Sequence, residues 1–347
     1  MANGSGFLHH LFDGIATFAQ QQLAERRRHQ ERLAALRDAI EQVVDASEPR
    51  IRLVGDYADK LVDTVAAALT HCHQLTRQLP PALTLSARAW ASDPRVNAFF
   101  ATVADLRVTL SQSRSVREFF QQGNPPAECF ALMLMIKRET ETFGAALAGD
   151  MLVREVRQTR VSFSEHRLHF PAASETELRQ NLRQRMLIFL ASRAREHIGE
   201  LRARRDALEE QRRQLRAQLQ ALRGQARGLR PLLSSADADE RRLAVLEQRL
   251  AQTEADLTDA RKPLTTLDDY LEQVRRIVGQ PEPYLHLHPL SLRLDRLGVK
   301  LDVDSPEPGE TLALFEWDSL EERRIGALVR FGRGELLADA AAYSAPI

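Results

Sequence analysis

Ten histidines and two cysteines are the residues of this chain with the widest chemical reach. Eight of the histidines come in close pairs: His9 with His10, His71 with His73, His166 with His169, and His286 with His288. Two imidazoles at i and i+2 share a face on a strand and diverge on a helix. His71 and His73 fall in a helical pattern, so they are poor co-ligands. His286 and His288 alternate with Leu285 and Leu287, which reads as the wet side of an amphipathic strand, and no third ligand stands near in sequence. Glu165, His166 and His169 cluster where a turn is expected, and a polar tip explains them better than an acid–base pair.

Cys72 and Cys129 are far apart and each has apolar neighbours. They read as buried free thiols, since a disulfide framework or a zinc site needs more cysteines at closer spacing. No glycine-rich phosphate loop, nucleophile elbow, H-E-x-x-H or Walker pattern occurs. Asp302 and Asp304 lack the spacing of a calcium loop. The expectation is therefore no catalytic residue, no metal and no cofactor.

Composition narrows the class. At 347 residues with 44% hydrophobic and 28% charged content, the chain reads as globular and long enough for two or three domains. Basic and acidic residues number 48 each, so no global field draws it to nucleic acid or anionic lipid. Every basic residue except Lys60, Lys137, Lys262 and Lys300 is arginine, a bias expected of a GC-rich bacterial genome. No stretch reaches the ~18 apolar residues of a membrane helix. No Lys or Arg precedes the first apolar residues, unlike a secretory signal, and a cytoplasmic protein is expected.

The strongest pattern is structural. Leu201, Leu208, Leu215, Leu222 and Leu229 recur every seven residues, as do Leu243, Leu250, Leu257, Leu264, Leu271 and Val278. Folding the chain at Ala236 pairs the two series, 229 with 243 through 201 with 271. That is the arithmetic of an antiparallel coiled-coil hairpin. The layers between are Ile198 with Val274, Arg205 with Leu267, Arg212 with Ala260, Leu219 with Thr253, and Ala226 with Leu246. In the same register Arg223 meets Glu247, Arg216 meets Glu254, Glu209 meets Arg261 and Arg202 meets Asp268, every pair opposite in sign. Pro231 and the polar run that follows supply a turn, and Pro263 predicts a kink or a fresh start in the returning arm. A parallel basic zipper is disfavoured, because Met186-Leu187-Ile188-Phe189-Leu190 upstream is too apolar for a major groove.

The flanks complete the plan. Apolar spacing predicts one helix over 5–46, with Phe7, Leu8, Leu11, Phe12, Ile15, Phe18, Leu33, Leu36, Ile40 and Val43 on its stripe. Ser47 and Pro49 open a second helix carrying Ile51 to Leu75, which stops at Pro80-Pro81. Asp93-Pro94 opens another, and Ser115 with Glu118 boxes a helix holding Phe119 and Phe120. Phe130 to Ile136 alternate as in a strand, while Met133 and Met135 fill the other face, so a buried helix fits residues 127–143 almost as well. Val161 and Phe163 with Leu168 and Phe170 suggest a hairpin turning at Ser164-Glu165-His166. Ser174 and Glu177 cap the long helix. After Gly279, strands are expected at Leu290–Leu294, Val299–Val303, Leu312–Leu314 and Ala327–Phe331, with a turn at Asp295–Gly298.

The fold class is thus α+β, mainly α. It has a helical domain at 1–122, a small antiparallel β domain from 127–173 plus 283–331, a coiled-coil hairpin at 174–279 turning near 230–238, and a flexible tail at 332–347. Because both arms of a hairpin return to one end, the two β stretches should share one sheet. The function expected is non-enzymatic: a scaffold or assembly subunit using the coiled-coil arm to contact another protein or a second copy. Leu232 and Leu233, at the tip, are the candidate partner-binding residues. A nucleic-acid-associated accessory protein is the alternative, and an enzyme with an unrecognised site the third.

Overall fold

The computed structural model describes residues 26–27, 29–148, 151–226, 236–302, 304–305, 307–318 and 323–337. It is a mixed α and β chain with one six-stranded sheet. Two compact units share the chain: Met1–Leu69 with Leu187–Pro281, and Thr70–Met186 with Glu282–Ile347. The residues expected to form one helical domain, 1–122, are divided between them.

The first unit is helical. α1 covers 29–46 and a 3-10 turn covers Pro49–Leu53. α2 begins only at Tyr57 and runs to Gln78. The helix expected from Pro49 is interrupted because Asp56 takes a left-handed backbone, φ 55°. Ser47 caps nothing: its hydroxyl donates back to the Val43 carbonyl at 2.6 Å. Of the α1 stripe, Ile40 and Val43 are buried, whereas Leu33 is exposed. The Phe7–Phe18 part of that stripe lies outside the described residues.

The returning helices follow Pro263 as expected. A helix ends at Arg261, a 3-10 turn spans Lys262–Leu264, and a new helix starts at Leu267. Thr266 and Asp269 form a reciprocal capping box at that restart.

The second unit is built on the sheet. Short β1, Leu83–Thr84, precedes four helices: α3 Ala87–Ser92, α4 Pro94–Phe99, α5 Val103–Gln112 and α6 Arg114–Phe120. Ser86, Asp93, Thr102 and Ser113 cap them in turn, each accepting from a backbone N–H of the first turn. Ser113, two residues before the expected Ser115, thus starts α6, and Glu118 instead accepts from Arg114 at 2.7 Å.

β2 is Glu128–Ala148, β3 Met151–Ala172, β4 Leu287–Leu294, β5 Glu310–Asp318 and β6 Arg323–Gly332. Their order is β3-β2-β6-β5-β4, antiparallel throughout, with β1 added parallel to β6. The β stretches on either side of the long helices therefore belong to one sheet.

The expected hairpin at Ser164-Glu165-His166 is not a turn. β3 runs straight through it, paired to β2 on both sides, with Ser164 opposite Ile136 and Arg167 opposite Leu134. One extra residue is accommodated there, Glu165 and His166 standing opposite Met135 alone, and Glu165 takes φ 53°. The bulge reverses the inside–outside parity of the strand. Phe163 and Leu168, odd and even in number, therefore both enter the core.

The hydrogen-bond ladder also runs full circle. Val299 and Lys300 bridge to Arg160 of β3 and Leu294 of β4, so the two edges of the sheet meet. Lys300 N donates to Thr159 O and Val161 N to Gly298 O, both at 2.8 Å. Gly298 has φ +78°, and a Cβ there would lie 3.0 Å from the Val161 carbonyl, so glycine is required at this closure. One face of β2 to β6 fills a single core with Phe99, Phe100, Phe119 and Phe120 from α4 and α6. On β2 that face is Cys129, Ala131, Met133 and Met135. Leu132 is buried as well, so both faces of β2 are covered over this stretch, which explains its continuous apolar run.

β6 accompanies β2 only over Glu128–Met135, while β2 and β3 stay paired out to Ala148 and Met151. Beyond the closed sheet they form a two-stranded ribbon. The first residues of the expected tail are anchored: Glu335 accepts from Ala87 N at 3.1 Å and from Arg107 at 3.2 Å.

Candidate functional site

Two helices carry the leucine series: α7, Glu175–Ala226, and α8, Ala236–Arg261, with α9, Leu267–Val278, continuing it. Helix α7 begins where expected, since Ser174 accepts from Glu177 N at 3.2 Å. Over 52 residues it holds no proline and two glycines, so nothing in it competes with helix.

Burial on these helices follows the alternating three- and four-residue spacing of a helical seam. On α7, Leu208, Arg212, Leu215, Leu219 and Leu222 are shielded while most of their neighbours are exposed. On α8 the same holds for Leu243, Leu246, Leu250, Thr253, Leu257 and Ala260. Leu215, Leu219, Thr253 and Leu257 are the deepest. The buried Thr253 hydroxyl is satisfied by the Arg249 carbonyl at 2.9 Å. Arg212 stands half-buried in the seam, its Nε covered and without a hydrogen-bond partner.

Among the described residues, three ion pairs are seen joining the helices. Glu209 accepts from Arg261 at 2.8 Å, Arg216 donates to Glu254 at 2.6 Å, and Arg223 donates to Glu247 at 2.7 Å. Each step of seven forward on α7 is matched by a step of seven backward on α8. The fourth expected pair is absent. Asp268 accepts from Lys60 of α2 at 2.8 Å, and Arg202 turns to Glu48. The reason is the restart after Pro263: from Leu267 onward α9 packs against the Pro49–Leu53 turn, which brings new partners.

Those partners form a charged cluster. Glu48 is buried and accepts from Arg50 at 2.8 Å as well as from Arg202. Both guanidinium groups lie over the Tyr270 ring, 5.4 and 5.0 Å from its centre. The hydrogen bond from Arg50, with that from Arg202, outweighs burial and holds the Glu48 carboxyl at about 2.

Near the far end of the helix pair a groove of about 570 Å³ opens, lined by Gln218, Ala221, Leu222, Arg241, Arg242, Val245 and Leu246. Leu232 and Leu233, the expected contact residues, lie in 227–235, outside the described residues.

Among the described residues no group of three or more potential metal ligands is found, and His9 and His10 lie outside them. His286 and His288 are exposed on one face, rings 4.8 Å apart, with Leu285 and Leu287 buried between them. His71 Nε2 donates to the Leu285 carbonyl at 2.8 Å, and His73 Nδ1 accepts from Arg183 at 2.8 Å. His166 stacks on Phe100 at 4.7 Å, with Nε2 buried and unpartnered. Burial pushes both His166 and His169 below the usual imidazole range. Cys72 and Cys129 are buried free thiols, and burial pushes each up to about 12.

One feature of the second unit had no counterpart in the sequence reading. Phe170, a second bulge residue of β3, takes φ 56° beside a cavity of about 450 Å³ that Ser115, His169, Asn181, Gln184 and Arg185 also line. A bulky residue in that backbone region stores strain. The only sequence signal for it is a break in the alternation of β3.

Among the described residues no helix is long and apolar enough to cross a membrane. No family model, curated protein or solved structure matches the chain.

Proposed function

We propose that α7 and α8 form an antiparallel coiled-coil hairpin, and that the protein is a non-enzymatic scaffold or assembly subunit that uses this arm to hold another protein. One observation carries the reading: the three ion pairs, 209–261, 216–254 and 223–247, all keep a single antiparallel register. No residue of α7 or α8 belongs to the core that the sheet encloses. At 26 residues, α8 alone reaches about 39 Å. Such an arm presents surface at a distance, which suits contact with a macromolecule better than small-molecule chemistry. Its exterior arginines are interleaved with acids, as in Arg213–Glu210 and Arg205–Asp206, so nucleic acid is the weaker alternative.

The test is affinity capture with the full chain. A specific protein should be retained, and Leu232→Ser with Leu233→Ser should release it while melting stays unchanged. Leu215→Asp with Leu257→Asp should release it by opening the helix pair. Capture that ignores both changes would refute a role for the arm.

A further inference from the structure

The two flanks of the helix pair differ, and the difference points to a third helix. Glu209, Arg216 and Arg223 occupy one flank of α7, facing Arg261, Glu254 and Glu247, so that side is closed by paired charge. The opposite flank of α7 carries Gln211 and Gln218, seven apart, both neutral and exposed. Along the same flank α8 carries Arg242, Arg249 and Asp256, seven apart, and in the register of the ion pairs Asp256 is the one that stands across from Gln218. Gln211 and Gln218 carry no charge, so this stretch of α7 offers α8 no ion pair on that side.

The groove lies on this second flank. Its floor is Leu222 and Leu246, which belong to the seam, together with Ala221 and Val245, which do not. A two-stranded coil needs apolar residues only along the seam, and the positions beyond it face water. Here the apolar stripe widens by one position on each helix, and Val245 is 49% exposed. A stripe of that width is the pattern of a helix packed against more than one neighbour. The rim is basic. Arg241 borders the groove and Arg249 stands about two turns further along α8, and neither has an ion pair among the described residues.

We infer that this flank binds an amphipathic helix of a partner protein, with acidic residues beside its apolar stripe. Leucine-sized side chains would cover Val245, Ala221, Leu222 and Leu246, and carboxylates would meet Arg241 and Arg249. A second copy of this chain fits less well. A two-fold contact through this flank would gather Arg241 and Arg249 of both copies on one small surface. The inference rests on the arm being the binding element and adds which side binds and what chemistry it selects.

The experiment uses the full chain and two labelled four-heptad synthetic helices with the same leucine stripe, one flanked by Glu and one by Lys. Fluorescence anisotropy at low salt should show the Glu peptide binding at least about tenfold more tightly. Arg241→Glu with Arg249→Glu should reverse the preference. Val245→Asp, at an exposed position, should weaken both peptides and leave helicity and melting as they were. Equal affinity for the two peptides, or none for either, would overturn the proposal. So would a dimer in sedimentation that Val245→Asp dissolves, because a second copy would then cover the groove. Protein capture that depends on Leu215 and Leu257 but ignores Val245→Asp and the arginine reversals would remove this flank and leave the arm's role intact. Capture that ignores the arm removes the arm itself.

Discussion

Arg202 of α7 donates to the carboxylate of Glu48, so the long helix is tied to the turn that follows α1. The carboxyl is buried, held at about 2 against an ordinary 4.5, and its partner Arg50 is half in water. A depressed carboxyl pKa stabilises the fold above the unfolded value and loses that contribution as pH falls through the folded value. Unfolding free energy should therefore drop between about pH 4.5 and 2. Glu48→Gln should flatten that slope and cost on the order of 2 kcal/mol at pH 7, after allowance for solvent around Arg50. Urea titrations at pH 7 and pH 3.5 read both effects. A variant as stable as the parent at pH 7 would show that the cluster contributes nothing.

His166 and His169 act in a separate window. Burial lowers both, so the folded state favours neutral imidazole. Their contribution is complete above the unfolded value of 6.5 and shrinks as pH falls below it. Glu165, Arg167 and Arg324 are the charged groups nearby, through contacts of 3.9 Å to Arg167 and 3.7 Å to Arg324 from Glu165. His166→Phe keeps the stack on Phe100 and removes one titration. Melting temperature should fall from pH 7.5 to 5.5, and fall less in that variant. Identical profiles would remove His166 from the account.

Gly326 stands directly across from Phe315 on neighbouring strands. A Cβ on Gly326 would overlap that ring, which is buried on the face of β5 opposite to Leu312 and Leu314. Gly326→Ala should destabilise by about 1–3 kcal/mol through overpacking. Adding Phe315→Leu should recover part of the loss, a coupling that a double-mutant cycle measures. Simple additivity would mean that the two residues do not compete for space.

The proposed hairpin register can be tested by cross-linking. Cysteines at Leu222 and Leu250, or at Leu208 and Leu264, should form an intrachain disulfide. The native thiols are buried and pushed up to about 12, so they stay protonated and silent in the assay. Products linked only between chains would refute the fold-back.

The paired helices were legible because one repeat controls both their burial and their charge. The heptad put Leu215, Leu219 and Leu257 inside, and the same count put Arg216 beside Glu254 and Arg223 beside Glu247. It failed at Arg202, where the partner is Glu48, 154 residues away, and no local pattern announces such a contact. In the sheet, alternation located β4, β5 and β6. It misread β3, because a bulge changes parity as a turn does and differs only in what the chain does next. The alternation at Val299–Val303 predicts a full strand there, whereas only Val299 and Lys300 bridge, one to each edge of the sheet, because the segment spans a gap between two strands instead of lying along one. The groove at Val245 was visible in principle, as an apolar residue outside the seam.

The circular sheet is also ordered in time. β2 ends at Ala148 and its partner β6 begins at Arg323, so roughly 170 residues of helix and strand are made between them. At ribosomal speeds of about 5–20 residues per second, that interval is roughly 10–35 s. Throughout it the Glu128–Met135 edge of β2, with its fully apolar Ala131, Met133 and Met135, has no strand of its own chain to pair with. The long α7–α9 excursion thus sets the length of the period in which this nascent chain is most open to wrong pairing.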